Sequence, residues 1–243
     1  MIRSYCKKIF SQAAQDCVAS ILSLFDEQPE AILLDCGCGD GGFTQRIVEK
    51  LKGCKAVYGI EIDPECCKKA ENKGMFIYKD DLNSKLSLGD QSADVIFSNQ
   101  VIEHLYNTDK FISEIYRVLK PQGYAVISTE NLSSWHNIFS LLLGWQPFSL
   151  SNISIFLPSV GNPLGIHRKE ENSLFSGGVP EFMQHARVFA PRGIKEMFEI
   201  HGFKCESFLG AGYYPLPGFL ARGMAKIDKN HSAFLVLKFR KRI

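Results

Sequence analysis

Two carboxylates and four glycines occupy the eight residues from Asp35 to Gly42. Glycine lets a chain turn sharply and bring its backbone close to a ligand, and such a run between a strand and a helix marks a nucleotide-type site. Gly37, Gly39 and Gly42 satisfy the spacing G-x-G-x-x-G, which in dinucleotide enzymes seats a pyrophosphate on a helix N-terminus. Charge argues for another ligand, because Asp35 and Asp40 would meet a pyrophosphate with like charge at close range. A cation suits these residues better. A third acid, Glu61, lies 24 residues beyond Gly37, where a ribose-binding carboxylate is expected, and can accept both ribose hydroxyls.

The elements that must position these residues follow from the apolar pattern. Residues 31–34 read as a buried parallel strand that breaks into the glycines, followed by a helix over 43–50. Residues 55–60 form a second strand ending at Glu61, and Asp63-Pro64 starts a helix as N-cap and first helical residue. A short strand over 75–78 leads to Asp80-Asp81-Leu82, and 93–98 is a strongly apolar fourth strand. In an open parallel sheet ligands bind at the carboxyl edge where strand order reverses, so the glycine turn and residues 101–105 should face each other. A helix over 108–119 is closed by Lys120-Pro121-Gln122-Gly123, and a fifth strand spans 124–129. An amphipathic helix over about 7–25, within a leading segment 1–28, packs on the sheet or covers the cofactor mouth.

Composition bounds the function. The chain has 243 residues, 45% of them hydrophobic, enough for one sizeable core, and it reads as a single domain with an insertion. A net charge of +2 gives no nucleic-acid footprint, and the basic tail 238–242 reads as a solvated end. No apolar run reaches the length of a membrane span and no cleavable leader is evident, so the cytosol is the expected compartment. The eight cysteines read as reduced thiols; Cys36, Cys38, Cys66 and Cys67 lack the two-residue spacer of common zinc knuckles, and no metal site is assigned.

S-adenosylmethionine meets the charge requirement: its ammonium and sulfonium are positive, it has no phosphate, and its carboxylate could use glycine N–H groups. The form Asp35-x-Gly37-x-Gly39 resembles motif I of class I S-adenosylmethionine-dependent methyltransferases. The resemblance widens with Glu61-Ile62-Asp63, Asp81-Leu82, Val101-Ile102-Glu103-His104-Leu105 and Arg117-Val118-Leu119-Lys120-Pro121-Gln122-Gly123. In order and spacing these are similar to the small-molecule type that includes the ubiquinone-biosynthesis enzymes, over about 32–128. The resemblance implies an α/β, Rossmann-like seven-stranded sheet of order 3-2-1-4-5-7-6, with the last strand antiparallel and helices on both faces. It also implies that Asp35, Gly37, Cys38, Gly39, Glu61, Ile62, Asp81, Leu82, Asn99 and Val101 bind the cofactor, with Asp81 meeting the adenine amino group.

Past strand five the resemblance thins. Residues 131–184, with Trp135, Trp145 and Phe148, read as an inserted lid with a helix over 131–145 and loops beyond it. Its aromatics either hold a small or lipid-like acceptor or pack the lid onto the body, and it offers a route to peripheral membrane contact. After it come a helix from Pro191 to His201, a strand to Leu209, a connection over 213–230 and a final strand over 233–239. A sulfonium methyl is already activated, so the protein mainly has to position the acceptor and remove its proton. His104 is the first candidate base, with Glu103 to orient it or touch the donor; His104 is alternatively a backbone-bonded residue at the start of a helix. His136, His167 and His185 are further histidines that could face the acceptor. Transfer at oxygen is the expected chemistry. A non-catalytic donor-binding scaffold and an NAD-dependent oxidoreductase are the competing readings.

Overall fold

The computed structural model of the chain describes residues 2–154, 156, 159–165 and 184–242. Seven strands, β1 (Ala31–Cys36), β2 (Cys54–Ile60), β3 (Phe76–Tyr78), β4 (Ala93–Asn99), β5 (Leu119–Glu130), β6 (Phe203–Ala211) and β7 (Phe234–Lys241), form one sheet in the order β3-β2-β1-β4-β5-β7-β6. The helices are α1 (Ile2–Leu22), α2 (Gly42–Leu51), α3 (Pro64–Glu71), α4 (Thr108–Val118), α5 (Trp135–Leu142), α6 (Pro191–Ile200) and α7 (Gly218–Ile227). β1 pairs in parallel with β2 and β4, as do β2 with β3 and β4 with β5. β7 runs the other way: Ala233 N–H bonds Gly212 O where β7 begins, and Arg242 N–H bonds Gly202 O where it ends. The sheet is mixed, Rossmann-like and of the expected order.

By contacts the chain divides into two compact units. The larger comprises residues 21–128, 194–208 and 237–243. Its core is the apolar content of the parallel strands, with Leu33, Leu34, Val95, Ile96 and Phe97 buried beside Ile47 of α2 and Phe111 and Ile115 of α4. Phe198 stacks on Phe239 at 4.0 Å, and Phe203 packs against both rings. The Arg117 guanidinium donates to Leu86 O, Leu88 O and Asp90 Oδ1 at 3.1, 2.8 and 2.7 Å, so this motif residue ties down the loop before β4.

Two sequence readings need correction in this unit. Residues 120–123 do not form a turn ahead of the fifth strand; they lie inside it. Leu119 pairs with Ala93 and Tyr124 with Val95, leaving the four residues bulged opposite Asp94, whose carboxylate accepts from Lys120 Nζ at 2.9 and 2.8 Å. Proline and glycine within a strand mark such a bulge, and Gln122 takes a φ of 64° to make it. The basic tail is not a solvated end either, because Lys238 and Lys241 are both buried. Lys238 bonds Asp26 and sits 4.2 Å above the Tyr124 ring. Lys241 Nζ donates to Tyr116 O and Leu119 O at 2.7 Å each, capping carbonyls that the end of α4 leaves without helical partners.

The other unit comprises residues 1–20, 129–193 and 209–236. Ile9, Ala13 and Cys17 form the buried face of its part of α1, and Gly212, at φ 69°, fits against Ala13 where a side chain would clash at 2.6 Å. Asn131 is its knot. The Asn131 Nδ2 donates to Asn230 O and Ser232 O at 2.8 and 2.7 Å, and its Oδ1 accepts from the Ser133 N–H and hydroxyl. Its N–H bonds Ala233 O, its carbonyl accepts from Asn137 Nδ2, and it bridges in parallel to Phe189. Trp135 Nε1 donates to Tyr213 Oη and Asp228 Oδ2, joining α5 to the end of α7. Of the expected lid 131–184, residues 155, 157, 158 and 166–183, His167 among them, lie outside the described residues.

Candidate functional site

The glycine turn leaves β1 at its carboxyl end and is pinned to β2 by Gly37 N–H and Cys38 N–H, both donated to Ile60 O, at 2.8 and 3.1 Å. Gly37 and Gly39 adopt φ of 77° and 53°. A Cβ on Gly37 would lie 2.5 Å from Cγ2 of Val101, so the backbone here passes as near the segment after β4 as atoms allow. A Cβ on Gly39 would meet nothing within 4 Å. The turn is closed on one side and open on the other.

The acids are arranged differently from what spacing alone suggests. Asp35, ending β1, is buried and accepts from Thr44 Oγ1 of α2 at 2.6 Å. Burial raises its carboxyl to about pH 7 despite that bond, with Glu61 nearby adding to the rise. Asp40 is exposed; the Gly42 N–H and Lys73 hold it below the usual carboxylate range. Its charge is paired with Lys73 at 3.1 Å, so the case against a pyrophosphate rests on Asp35 and Glu61.

Glu61 folds back over the turn. Its Oε2 accepts from Gly39 N–H at 2.9 Å, and its Oε1 from Ile62 N–H and Asp63 N–H at 2.7 and 2.9 Å. Each carboxylate oxygen has about two acceptor positions. Oε1 is therefore filled and Oε2 keeps one, enough for one ribose hydroxyl rather than both. The glycine N–H groups expected to meet a ligand carboxylate are likewise occupied within the protein: Gly41 N–H by Cys38 O and Gly42 N–H by Asp40 Oδ1, besides those above. They hold the turn in shape.

Asp63 caps α3 through Cys66 N–H at 2.8 Å, the structural role expected of it. Ile62 is half exposed beside Glu61, and Leu82 is buried. Asp80 is occupied by the Ser87 N–H and hydroxyl, whereas Asp81 is exposed and accepts from Asn83 through Oδ1. Asn83 in turn accepts from Tyr106 N–H and Asn107 N–H at 2.8 and 2.9 Å, fastening this loop to the residues after His104. Asn99, ending β4, accepts from the Ser128 hydroxyl. Val101 begins a one-turn 3-10 helix, Ile102–His104, in which Glu103 is buried and the His104 N–H bonds Val101 O at 2.9 Å. Cys36 and Cys38 are buried, and burial raises both thiols well above their ordinary range, so they are protonated and unreactive at neutral pH.

The unit holding α5 and α7 has a cavity of about 490 Å³. Phe10, Phe139, Phe148, Trp135 and Phe234 are part of its wall, with Glu130, His136, Asn152 and Tyr214 among them. Trp145 is not in the lining. Sequence reading missed Thr44, for which a hydroxyl nine residues after Asp35 was the available signal. It also missed Glu130, Asn152 and Tyr214, which share no spacing with any motif.

Residues 34–127 match a family model described as a methyltransferase domain. A probable S-adenosylmethionine-dependent methyltransferase of Mycolicibacterium smegmatis is 26% identical over 84% of this chain and 61% of its own length. A ubiquinone biosynthesis O-methyltransferase of Rickettsia bellii is 26% identical over 64% of this chain and 66% of its own. The chain thus spans less than two thirds of these curated relatives. The fold is that of an S-adenosylmethionine-dependent methyltransferase from Mesorhizobium loti, with a TM-score of 0.59 at 18% identity over 92% of this chain and 96% of that one. The matched segment, 34–127, carries the glycine turn, it is similar to a methyltransferase domain, and the fold around it is that of solved S-adenosylmethionine-dependent methyltransferases.

Proposed function

We propose that this chain moves a methyl group from S-adenosylmethionine to a small or lipid-like acceptor, at oxygen, as a cytosolic enzyme. The observation that carries the reading is the glycine turn, closed by Val101 at Gly37 and open at Gly39, with the Glu61 carboxylate held over it. Those residues fit the donor: a cradle without side chains, one free acceptor position on Glu61 and a buried acid that gains from a nearby cation. The Rickettsia relative's role in O-methylation supports oxygen as the accepting atom. Eight free cysteines support a reducing compartment.

Bound donor supplies a methyl on a positive sulfur, a group that leaves by in-line displacement without a protein nucleophile. Gly37, Cys38 and Gly39 would form the floor of its site, Ile62 and Leu82 would give its adenine an apolar flank, and Asp81 would accept from its amino group. Asp35 compensates positive charge, and Asn99 and Val101 contribute from the segment that meets the turn at Gly37. His104 takes the acceptor's proton and Glu103 orients it. A histidine suits that task because its ordinary pKa lies near neutrality.

Calorimetric titration with S-adenosylmethionine, S-adenosylhomocysteine and NAD tests the cofactor, and transfer of labelled methyl to a panel of hydroxylated acceptors tests the reaction. Donor binding that Glu61→Ala weakens, followed by transfer that His104→Ala slows with an altered pH profile, is the expected result. Donor binding with no transfer to any acceptor would make the chain a scaffold. NAD binding without donor binding would make it an oxidoreductase.

A further inference from the structure

The cavity beside α5 has a wall with an unusual chemical imbalance. Its volume, about 490 Å³, falls within the range of small-molecule sites, and its surface is mainly aromatic and aliphatic. Yet three buried polar atoms of residues in that wall have no hydrogen-bond partner: Oε2 of Glu130, Oδ1 of Asn152 and Oη of Tyr214. His185 Nδ1 stands 3.8 Å from that Glu130 oxygen, beyond hydrogen-bond reach, and lies 2.6 Å from Ser149 O. Buried polar atoms are nearly always satisfied, so three orphans around one cavity call for groups that the protein itself does not supply.

The chemistry of those groups can be read from what is missing. Two of the three atoms can only accept, and the third can accept or donate. Among the described residues the lining contains no lysine or arginine. His136, the one imidazole among the described lining residues, is packed between Phe148 and Tyr214, and burial pulls it down to about 3, so it brings no positive charge at neutral pH. An anionic ligand would face the Glu130 carboxylate, whose nearest basic group among the described residues, His185, is turned to Ser149 O at 2.6 Å. We propose that this cavity binds a compact apolar molecule bearing an O–H or N–H donor, its ring or short chain against the phenylalanines and its donor against Glu130, Asn152 and Tyr214. The assignment rests on the cavity alone, so donor binding at the glycine turn can fail without it and it can fail without touching that site.

The test is calorimetric titration of the full chain, without cofactor, with 4-ethylphenol, 4-ethylbenzylamine and ethylbenzene, three probes of similar apolar body. At least one donor-bearing probe should bind with one-to-one stoichiometry and tenfold or more tighter than ethylbenzene. Asn152→Leu and Tyr214→Phe should each cut that preference threefold or more while ethylbenzene binds as before. Tyr214→Phe removes a hydroxyl that bonds nothing, so its melting temperature should stay level or rise. A winning phenol identifies a neutral donor. A winning amine whose advantage Glu130→Gln erases identifies a cation. Absence of saturable binding by both donor probes, equal binding of ethylbenzene, or a preference untouched by all three substitutions would overturn the proposal. The wild-type probe series decides even if a variant does not fold.

Discussion

The glycine turn and the α5 cavity present opposite ways of making room for a ligand. At the turn the room is made by leaving side chains out: Gly37 and Gly39 take positive φ, and the polar atoms around them, Glu61 included, are bonded to one another before anything binds. In the cavity the room is walled by side chains from residues as far apart in sequence as Phe10, Glu130 and Tyr214, and polar atoms there are left unbonded. A backbone-built site is rigid and indifferent to much of the surrounding sequence. A side-chain-built site is where selectivity among ligands can reside, since each wall residue can change independently.

The strongest way to break this contrast is to add one methyl group to the turn. Gly37→Ala forces a Cβ to within 2.5 Å of Val101 at a φ only glycine adopts freely, and donor affinity should fall by about a hundredfold or more, with a measurable loss of melting temperature. Gly39→Ala carries the φ strain without the clash, about 1–2 kcal/mol, and should cost about tenfold. Equal effects in calorimetry would mean that the closed and open sides do not differ. Glu61→Gln should weaken the donor by about tenfold, the scale of one charge-assisted hydrogen bond, and circular dichroism should show the fold retained.

Asp35 sharpens the same contrast through pH. Its folded-state value, about 7, lies above the ordinary 3.8, so its contribution to stability is full below about pH 4 and declines as pH rises through 7. A cationic donor prefers the ionised form, so donor affinity should move the other way, rising by about fivefold between pH 6 and pH 8 with proton release into the buffer. Titrations in two buffers of different ionisation enthalpy check this, and Asp35→Asn should flatten both trends. The smallest effect belongs to the cavity: Phe148→Ala should change donor affinity less than about twofold. A larger change would tie the cavity to the donor.

Sequence reading reached the turn because its constraints are local. An apolar run ending in glycines and aspartates fixes the end of β1, and Asp63-Pro64 fixes the start of α3, so both lie within a residue or two of expectation. The bond pattern inside the turn was not legible, because nothing in spacing says that Glu61 turns back onto Gly39 rather than outward. The α4–β5 join was misread since proline and glycine signal a turn and a bulge alike, and only the pairing of Leu119 with Ala93 decides. Lys238 and Lys241 read as solvated because charge usually is; the carbonyls and the tyrosine ring that receive them come from α4 and β5, more than a hundred residues earlier. The cavity wall draws on α1 (Ile9, Phe10), β5 (Glu130), α5 (Trp135, Phe139) and β7 (Phe234) as well as loops, so no single stretch of sequence marks it.

Asn131 carries a consequence for how such a chain changes over generations. One buried side chain, bonded to Asn230, Ser232 and Ser133, fixes the point at which the backbone leaves β5, and the Asn131–Phe189 bridge fixes the point of return. Because both anchors lie outside the segment between them, a change of length there leaves the register of the strand in place. Selection can thus try new recognition surfaces on an unaltered mount while the glycine turn stays as it is.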